Sequence, residues 1–336
     1  MSLLDGHLAL FRCPRCGGGL ARTGGPLHCS GCRQEYPVPE DGMPRLFWPN
    51  EWEGDRLDVT DRIKAFYEAT PFPDYDGFDD VSSLIEKARR GFFAKLLDDQ
   101  VPVGALILEC GCGTGQLTNF LSVANRTVLG TDICLNSLTL ANDFRRRHGL
   151  DGAFFCQMNL FRPCLRPASF DLVISNGVLH HTADPFLAYR TIAGLVKPGG
   201  HLIVGLYHKY GRIYTDLRRR LFHLTGDRFK FLDRHNVNPR LSQAKRRAWF
   251  MDQYKNPHES KHTIGQVLGW VEALGFSFVK SIPKTVPFQP FLENENLFAD
   301  EEPGSAIERF LVEAGQALTG ADEGGFFIVI ARRPGP

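Results

Sequence analysis

Ala105-Leu-Ile-Leu-Glu109-Cys-Gly111-Cys-Gly113-Thr-Gly115 is the stretch on which the fold turns. An apolar run of strand length passes directly into three glycines spaced two apart, and a helical pattern follows from residue 116. Glycines at a strand-to-helix turn let backbone come close to a ligand, because side chains there would fill the space. The spacing G-x-G-x-G differs from the G-x-G-x-x-G turn that seats a dinucleotide pyrophosphate on a helix N-terminus. Asp132 ends the next strand-like run, 19 residues after Gly113, where a carboxylate can accept hydrogen bonds from ribose hydroxyls. An adenosyl ligand without phosphates fits this arrangement better than NAD.

Outward from this turn, strand-like runs at Thr127–Thr131, Ala153–Gln157, Asp171–Ser175 and His201–Leu206 alternate with helical patterns near 116–124, 135–148 and 185–196. Asp184-Pro185 supplies an N-cap and a first-turn proline for the last of these helices. Ser83 to Asp98 reads as an amphipathic helix ahead of the first strand, and Phe276–Ile282 and Phe326–Arg332 read as two closing strands. The expected class is α/β, a doubly wound, seven-stranded, mostly parallel sheet with a small N-terminal unit and helical insertions.

Taken in order, Glu109-x-Gly-x-Gly-x-Gly, Asp132, Phe170-Asp-Leu-Val-Ile-Ser-Asn176-Gly-Val-Leu-His180-His181 and Leu195-Val-Lys-Pro-Gly-Gly200 resemble a class I S-adenosylmethionine-dependent methyltransferase. The resemblance is to domains of type 11 and covers residues 84–208 plus the two closing strands. It implies a Rossmann-like fold, S-adenosylmethionine as cofactor and methyl transfer by in-line displacement. It further implies that Gly111, Gly113 and Gly115, with Cys112 and Thr114 between them, cradle the methionine part while Glu109 supports the loop. Asp132 would hold the ribose, Ile133 would pack on adenine, Asn159 and Leu160 would meet the adenine edge, and Asn176 would sit beside the sulfonium. Position 159 is Asn where the family often has Asp, and an amide oxygen can still accept from the adenine amino group. His180 and His181 either act directly or pack behind the site. A general base is required only for a protonated acceptor, and His181, Tyr207 and His208 are the candidates near the strand ends.

Nine cysteines fall into two classes. Cys13, Cys16, Cys29 and Cys32 form two C-x2-C pairs, a spacing that suits tetrahedral zinc, whereas the other five are scattered and odd in number. Four thiolates leave no open coordination position, and a unit of this size cannot be held by its own core, so the expected role is structural. The stretch from Cys13-Pro-Arg-Cys16 through Asp41-Gly-Met-Pro-Arg-Leu46 resembles small zinc ribbons that activate methyltransferases as partners or are fused to their N-termini. The expected division is a zinc ribbon over 1–48, a linker and lid over 49–83, and a methyltransferase domain over 84–336 with insertions at about 209–262 and 284–324.

The lid expectation rests on Asp61 to Asp76, a short helix followed by a turn rich in proline and aromatic residues, with Tyr67, Phe72 and Tyr75 facing cofactor or substrate. The first insertion holds 14 Lys/Arg against 5 Asp/Glu, although the whole chain of 336 residues has 39 basic and 38 acidic residues and a net charge of +1. Its Arg218-Arg-Arg220 lies on an expected amphipathic helix with an apolar stripe at Ile213, Leu217, Leu221 and Leu224. Such a patch either recognises an anion (a phosphate, an acidic molecule, an anionic lipid or RNA) or is a solvated face. His258-Glu259-Ser-Lys-His262 matches H-E-x-x-H, yet Thr263-Ile-Gly-Gln266 reads as a capping box, so the helix starts after the motif and a zinc-protease site is not expected. A substrate-facing loop carrying His258, Glu259 and His262, joined by Tyr254, is expected instead.

Composition excludes a uniformly basic nucleic-acid binder and a polyanionic chain. No apolar run reaches the roughly 18 residues of a membrane span, and the N-terminus lacks a leader-like pattern, so a cytoplasmic protein is expected. The expected activity is methyl transfer to an O, N or C atom of a small or medium organic acceptor. RNA methylation, with the ribbon and the basic insertion gripping nucleic acid, is the alternative. The segment Ser-Asn176-Gly-Val lacks the Asn/Asp-Pro-Pro-aromatic pattern expected for methylating exocyclic base amines.

Overall fold

Glu109 and its neighbours form the centre of an eight-stranded sheet in a computed structural model of the chain, which describes residues 3–22, 24–52, 58–71, 80–319 and 325–335. Three short strands, β1 (Leu20–Arg22), β2 (Leu27–Cys29) and β3 (Glu35–Tyr36), make a small antiparallel sheet. The large sheet comprises β4 (Arg45–Leu46), β5 (Leu106–Cys110), β6 (Thr127–Asp132), β7 (Ala153–Met158), β8 (Phe170–Asn176), β9 (Val196–Tyr207), β10 (Ser277–Ile282) and β11 (Phe326–Arg332). Its order is β10-β11-β9-β8-β5-β6-β7-β4, parallel except at β11, which runs antiparallel to both neighbours. The chain reverses direction across the sheet between β5 and β8, so a crevice opens at the carboxyl ends of these strands.

All seven strands read from the sequence are present, and β4 adds an eighth. Arg45 and Leu46 pair in parallel with Gln157 and Met158 of β7. The boundary expected near residue 48 is therefore not a structural one. Leu4, Phe11, Leu27, Tyr36 and Leu46 share one buried cluster with Leu129, Phe154 and Met158, and Phe11 bridges to Leu165. A unit this small buries too little apolar surface alone, and β7 without β4 would leave its backbone edge open. Leaning one on the other meets both needs.

The helix expected over 83–98 is two helices, Val81–Arg90 and Phe92–Gln100, broken where Gly91 adopts extended geometry. Asp80 and Ser83 cap the first reciprocally, so the helix begins two residues before the expected start. The linker helix Thr60–Ala69 is anchored at its far end. Glu68 accepts from the backbone N–H groups of Leu135 and Asn136 at 2.8 and 3.0 Å, capping the helix Leu135–Arg147 from outside. The second insertion contributes the helix Ala306–Thr319, whose Glu313 accepts from Ile264 N–H at 2.5 Å.

Register between β8 and β9 places Asn176 opposite Gly205. A Cβ on Gly205 would lie 1.9 Å from Asn176 Oδ1 and 2.4 Å from the Phe326 ring, so only glycine lets β9 pass there. Gly205→Ala is expected to cost about 3 kcal/mol as overpacking, read as a lower midpoint in urea with unchanged slope.

Candidate active site and metal centre

The turn after β5 is built by backbone. Gly111 sits at φ +75°, and a Cβ there would strike Val178 at 2.4 Å. Thr131 carbonyl accepts from both Gly111 and Cys112 N–H, at 2.7 and 3.0 Å. Asp132 completes the turn: Oδ2 accepts from Gly113 N–H and Oδ1 from Cys134 N–H, both at 2.8 Å. Burial raises the Asp132 pKa above the ordinary aspartate value, against the pull of these donors. Glu109 is buried beneath the loop and accepts from Thr118 hydroxyl at 2.5 Å, and burial lifts its pKa to about 7.

Over this turn lies a cavity of about 450 Å³. Of the residues expected to hold cofactor, Glu109, Gly111, Cys112, Gly113, Asp132, Ile133, Asn159, Leu160 and Asn176 line it, whereas Thr114 and Gly115 do not. Asn159 is tied elsewhere as well. Both its Nδ2 hydrogens are committed, to Trp48 carbonyl and Asn50 Oδ1, and its Oδ1 accepts from Phe161 N–H.

The opposite wall comes from outside the sheet. Tyr67 stands on the linker helix with Thr60 and Ile63, while Trp249, Asp252 and Gln253 come from the first insertion, the last two on a single π-helical turn, Met251–Lys255. Asp252 accepts from Tyr67 hydroxyl at 2.8 Å, from Tyr207 hydroxyl at 3.4 Å and from Gln253 Nε2 at 2.9 Å. Burial and the Asp252 charge hold both tyrosines protonated, well above the ordinary phenol range. Sequence reasoning missed these insertion residues. Their one signal was an acidic side chain in a segment otherwise dominated by Lys and Arg, whereas Thr60, Ile63 and Tyr67 share a helical period that does point them one way.

The histidines separate by position. His181 lines the cavity, its ring 6.1 Å from Tyr67 and 5.8 Å from Tyr207. Its Nδ1 lies 2.8 Å from the His258 carbonyl, which can only accept, so Nδ1 carries the hydrogen and Nε2 the lone pair. Burial lowers its pKa below the ordinary 6.5, against the pull of Asp252. His180 stacks behind, 4.0 Å from the Tyr207 ring, and its Nδ1 accepts from Tyr207 N–H. Its burial lowers the pKa further. His208 is buried off the cavity, its Nδ1 accepting from Gly211 N–H.

The expected substrate-facing loop is corrected by the structure. Tyr254 donates to Asp233, Glu259 is clamped by Arg212 and Arg219 at 2.8 and 2.7 Å, and His262 bonds Ser260 and Gln266; none of them lines the cavity. His258 reaches it only through the carbonyl that holds His181. The helix after H-E-x-x-H starts at Ile264 with Thr263 as N-cap, as the capping pattern indicates. Phe72 and Tyr75 lie outside the described residues.

No Lys or Arg stands among the described residues lining the cavity, which holds three carboxyl groups, those of Glu109, Asp132 and Asp252. Such a wall disfavours phosphate and suits a cationic sulfonium. A family model described as a methyltransferase domain matches residues 108–204, from β5 into β9. The middle of the large sheet, residues 108–204, thus matches a methyltransferase domain. The chain is 27% identical over 197 residues to an uncharacterised protein of Synechococcus sp., covering 52% of this chain and 47% of that one. It is 34% identical over 132 residues to an uncharacterised methyltransferase of Mycobacterium tuberculosis, covering 39% and 63%. It is also 31% identical over 115 residues to a ubiquinone biosynthesis O-methyltransferase of Ralstonia nicotianae, covering 33% and 47%. The chain thus spans less than two thirds of the length of each of these relatives.

Beside the methyltransferase domain, Cys13, Cys16, Cys29 and Cys32 bring their sulfurs within 4.8 Å of one another. Cys13–Cys32 and Cys16–Cys29 are 3.6 and 3.4 Å apart. A tetrahedral zinc site with bonds of about 2.3 Å has edges of about 3.8 Å, so the set fits zinc. Tyr36 hydroxyl is 3.0 Å from Cys13 Sγ and donates to it once the sulfur is a thiolate. We expect one zinc per chain by elemental analysis and its loss in Cys29→Ser. Chelation is expected to lower the thermal midpoint by at least about 5 °C, because the ribbon shares its core with the sheet.

Proposed function

We propose that this protein methylates a hydroxyl group of an uncharged, largely apolar small molecule, using S-adenosylmethionine. The observation that carries this reading is His181, neutral by burial and fixed by the His258 carbonyl so that its Nε2 lone pair serves the cavity.

Glu109, Gly111, Cys112, Gly113, Asp132, Ile133, Leu160 and Asn176 would hold the cofactor, with Asp132 toward the ribose hydroxyls. S-adenosylmethionine, when bound, supplies a methyl group already activated by its sulfonium charge. The remaining work belongs to the chain. His181 accepts the hydroxyl proton of the acceptor as the oxygen becomes nucleophilic. Tyr67, Gln253 and Asp252 form a polar patch that orients that hydroxyl, while Ile63, Phe161, Trp249 and Phe326 supply apolar contact. The absence of Lys and Arg from the described wall argues against an acidic acceptor and against a nucleotide phosphate backbone.

The direct test incubates the protein with methyl-tritiated cofactor and extract from a strain lacking it. Label in the organic-soluble fraction is expected, whereas nuclease-sensitive label in RNA would overturn the reading. His181→Ala is expected to reduce kcat at least about a hundredfold while cofactor affinity changes less than about twofold. In the wild type, kcat/KM should rise with pH to a plateau, with its half-point below 6.5, because the base works in its neutral form and burial favours that form. Equal losses in kcat and cofactor affinity would remove His181 from the role.

A further inference from the structure

The helix Ile213–Thr225 of the first insertion is turned inside out. At 100° per residue, Ile213, Leu217 and Leu224 fall within about 40° of one another, the stripe that an amphipathic helix ordinarily buries. Here that stripe faces solvent: Leu217 is 54% exposed and Leu224 82%. The opposite face, Thr215 and Phe222, is buried, with Phe222 packed on Phe250 and Tyr254 at ring distances of 5.7 and 4.8 Å. The turn that follows adds exposed Phe229 and Phe231.

Charge in the same insertion is sorted by sign. All five carboxyl groups of 209–262 have a partner: Asp216 pairs with Lys261 and Asp227 with Lys255 in half-exposed ion pairs, whereas Asp233 with Tyr254, Asp252 with Tyr67, and Glu259 with Arg212 and Arg219 are buried. Arg220, Arg228, Lys230 and Arg240 are exposed. The outer face therefore offers aliphatic and aromatic side chains flanked by cations, while three of the five anions are buried and the other two are each paired with a lysine.

We propose that this face docks the protein on an anionic lipid bilayer, with the helix 213–225 lying in the interface plane. Exposed leucines beside arginines match a surface that is apolar below and negatively charged above. Nucleic acid would select the cations and aromatic rings but would leave Ile213, Leu217 and Leu224 against water. Among the described residues no helix is long and apolar enough to cross a membrane, so the attachment is peripheral. Trp249, Asp252 and Gln253 line the cavity from the same insertion, and their neighbours Phe250 and Tyr254 pack on the buried face of the docking helix, so the cavity wall and the docking face belong to one packed unit. The docking itself does not depend on the proposed methyl acceptor.

The test is co-sedimentation of the full chain with vesicles of phosphatidylcholine containing about 30 mol% phosphatidylglycerol. Binding is expected to exceed that to pure phosphatidylcholine by at least about fivefold and to fall in about 0.5 M NaCl, where screening shortens the Debye length to a few Å. Leu217→Glu with Leu224→Glu is expected to weaken it at least about tenfold, with the thermal midpoint and S-adenosylmethionine binding unchanged, since both side chains are exposed. Vesicle binding that survives this double variant would overturn the proposal. So would absence of vesicle binding, in which case a dimer that the variant dissociates, or retention of poly(U) RNA by the wild type, would name the occupant instead.

Discussion

Asp132 holds two elements with one carboxylate, accepting from Gly113 in the loop after β5 and from Cys134 at the start of the next helix. That double acceptance sets how far the glycine loop stands from the end of β6, and with it the floor of the cavity. Gly111 can turn there because it carries no side chain to meet Val178, and Val178 belongs to the segment that leads from β8 to His181. Moving the loop would therefore disturb the floor and the histidine together. The cost is a carboxyl group kept in a buried place, and the two N–H donors offset that cost.

The cavity closes through a second polar set drawn from distant parts of the chain. Tyr67 and Asp252 are 185 residues apart in sequence and 2.8 Å apart in space. Behind them the Arg212 guanidinium lies 3.8 Å from the centre of the Tyr207 ring and also pairs with Glu259. Arg212 is fully buried, and its charge is balanced by a glutamate that sequence reasoning had placed toward substrate. The basic insertion thus serves the site through its few carboxyl and amide groups, while several of its cations face outward.

The elements that were legible were those governed by near neighbours. Thr263 and Gln266 located a helix start and removed the H-E-x-x-H motif from a helical face. Asp184-Pro185 did the same for the helix Pro185–Ala193. By contrast, β4 is two residues long and has no period to detect; it exists because β7 offers an open edge. Glu68 likewise gave no sign that it would cap a helix 67 residues away. The apolar stripe of 213–225 was legible as a stripe, but its outward facing was not, since periodicity locates a face without saying what covers it.

Sequence by itself determined the doubly wound order of strands, the glycine turn, the acidic residue at the end of β6 and the four-cysteine cluster. Each of these depends on backbone freedom, alternation or spacing within a short window. Only the tertiary structure decided that the ribbon is continuous with the large sheet and that His181 rather than His180 or His208 meets the cavity. It also decided that Asp252 and Gln253 complete the wall. These outcomes depend on which side chains meet across long separations and on which nitrogen of a ring is already engaged. Local pattern carries neither, because both follow from burial and hydrogen-bond satisfaction over the whole packed chain.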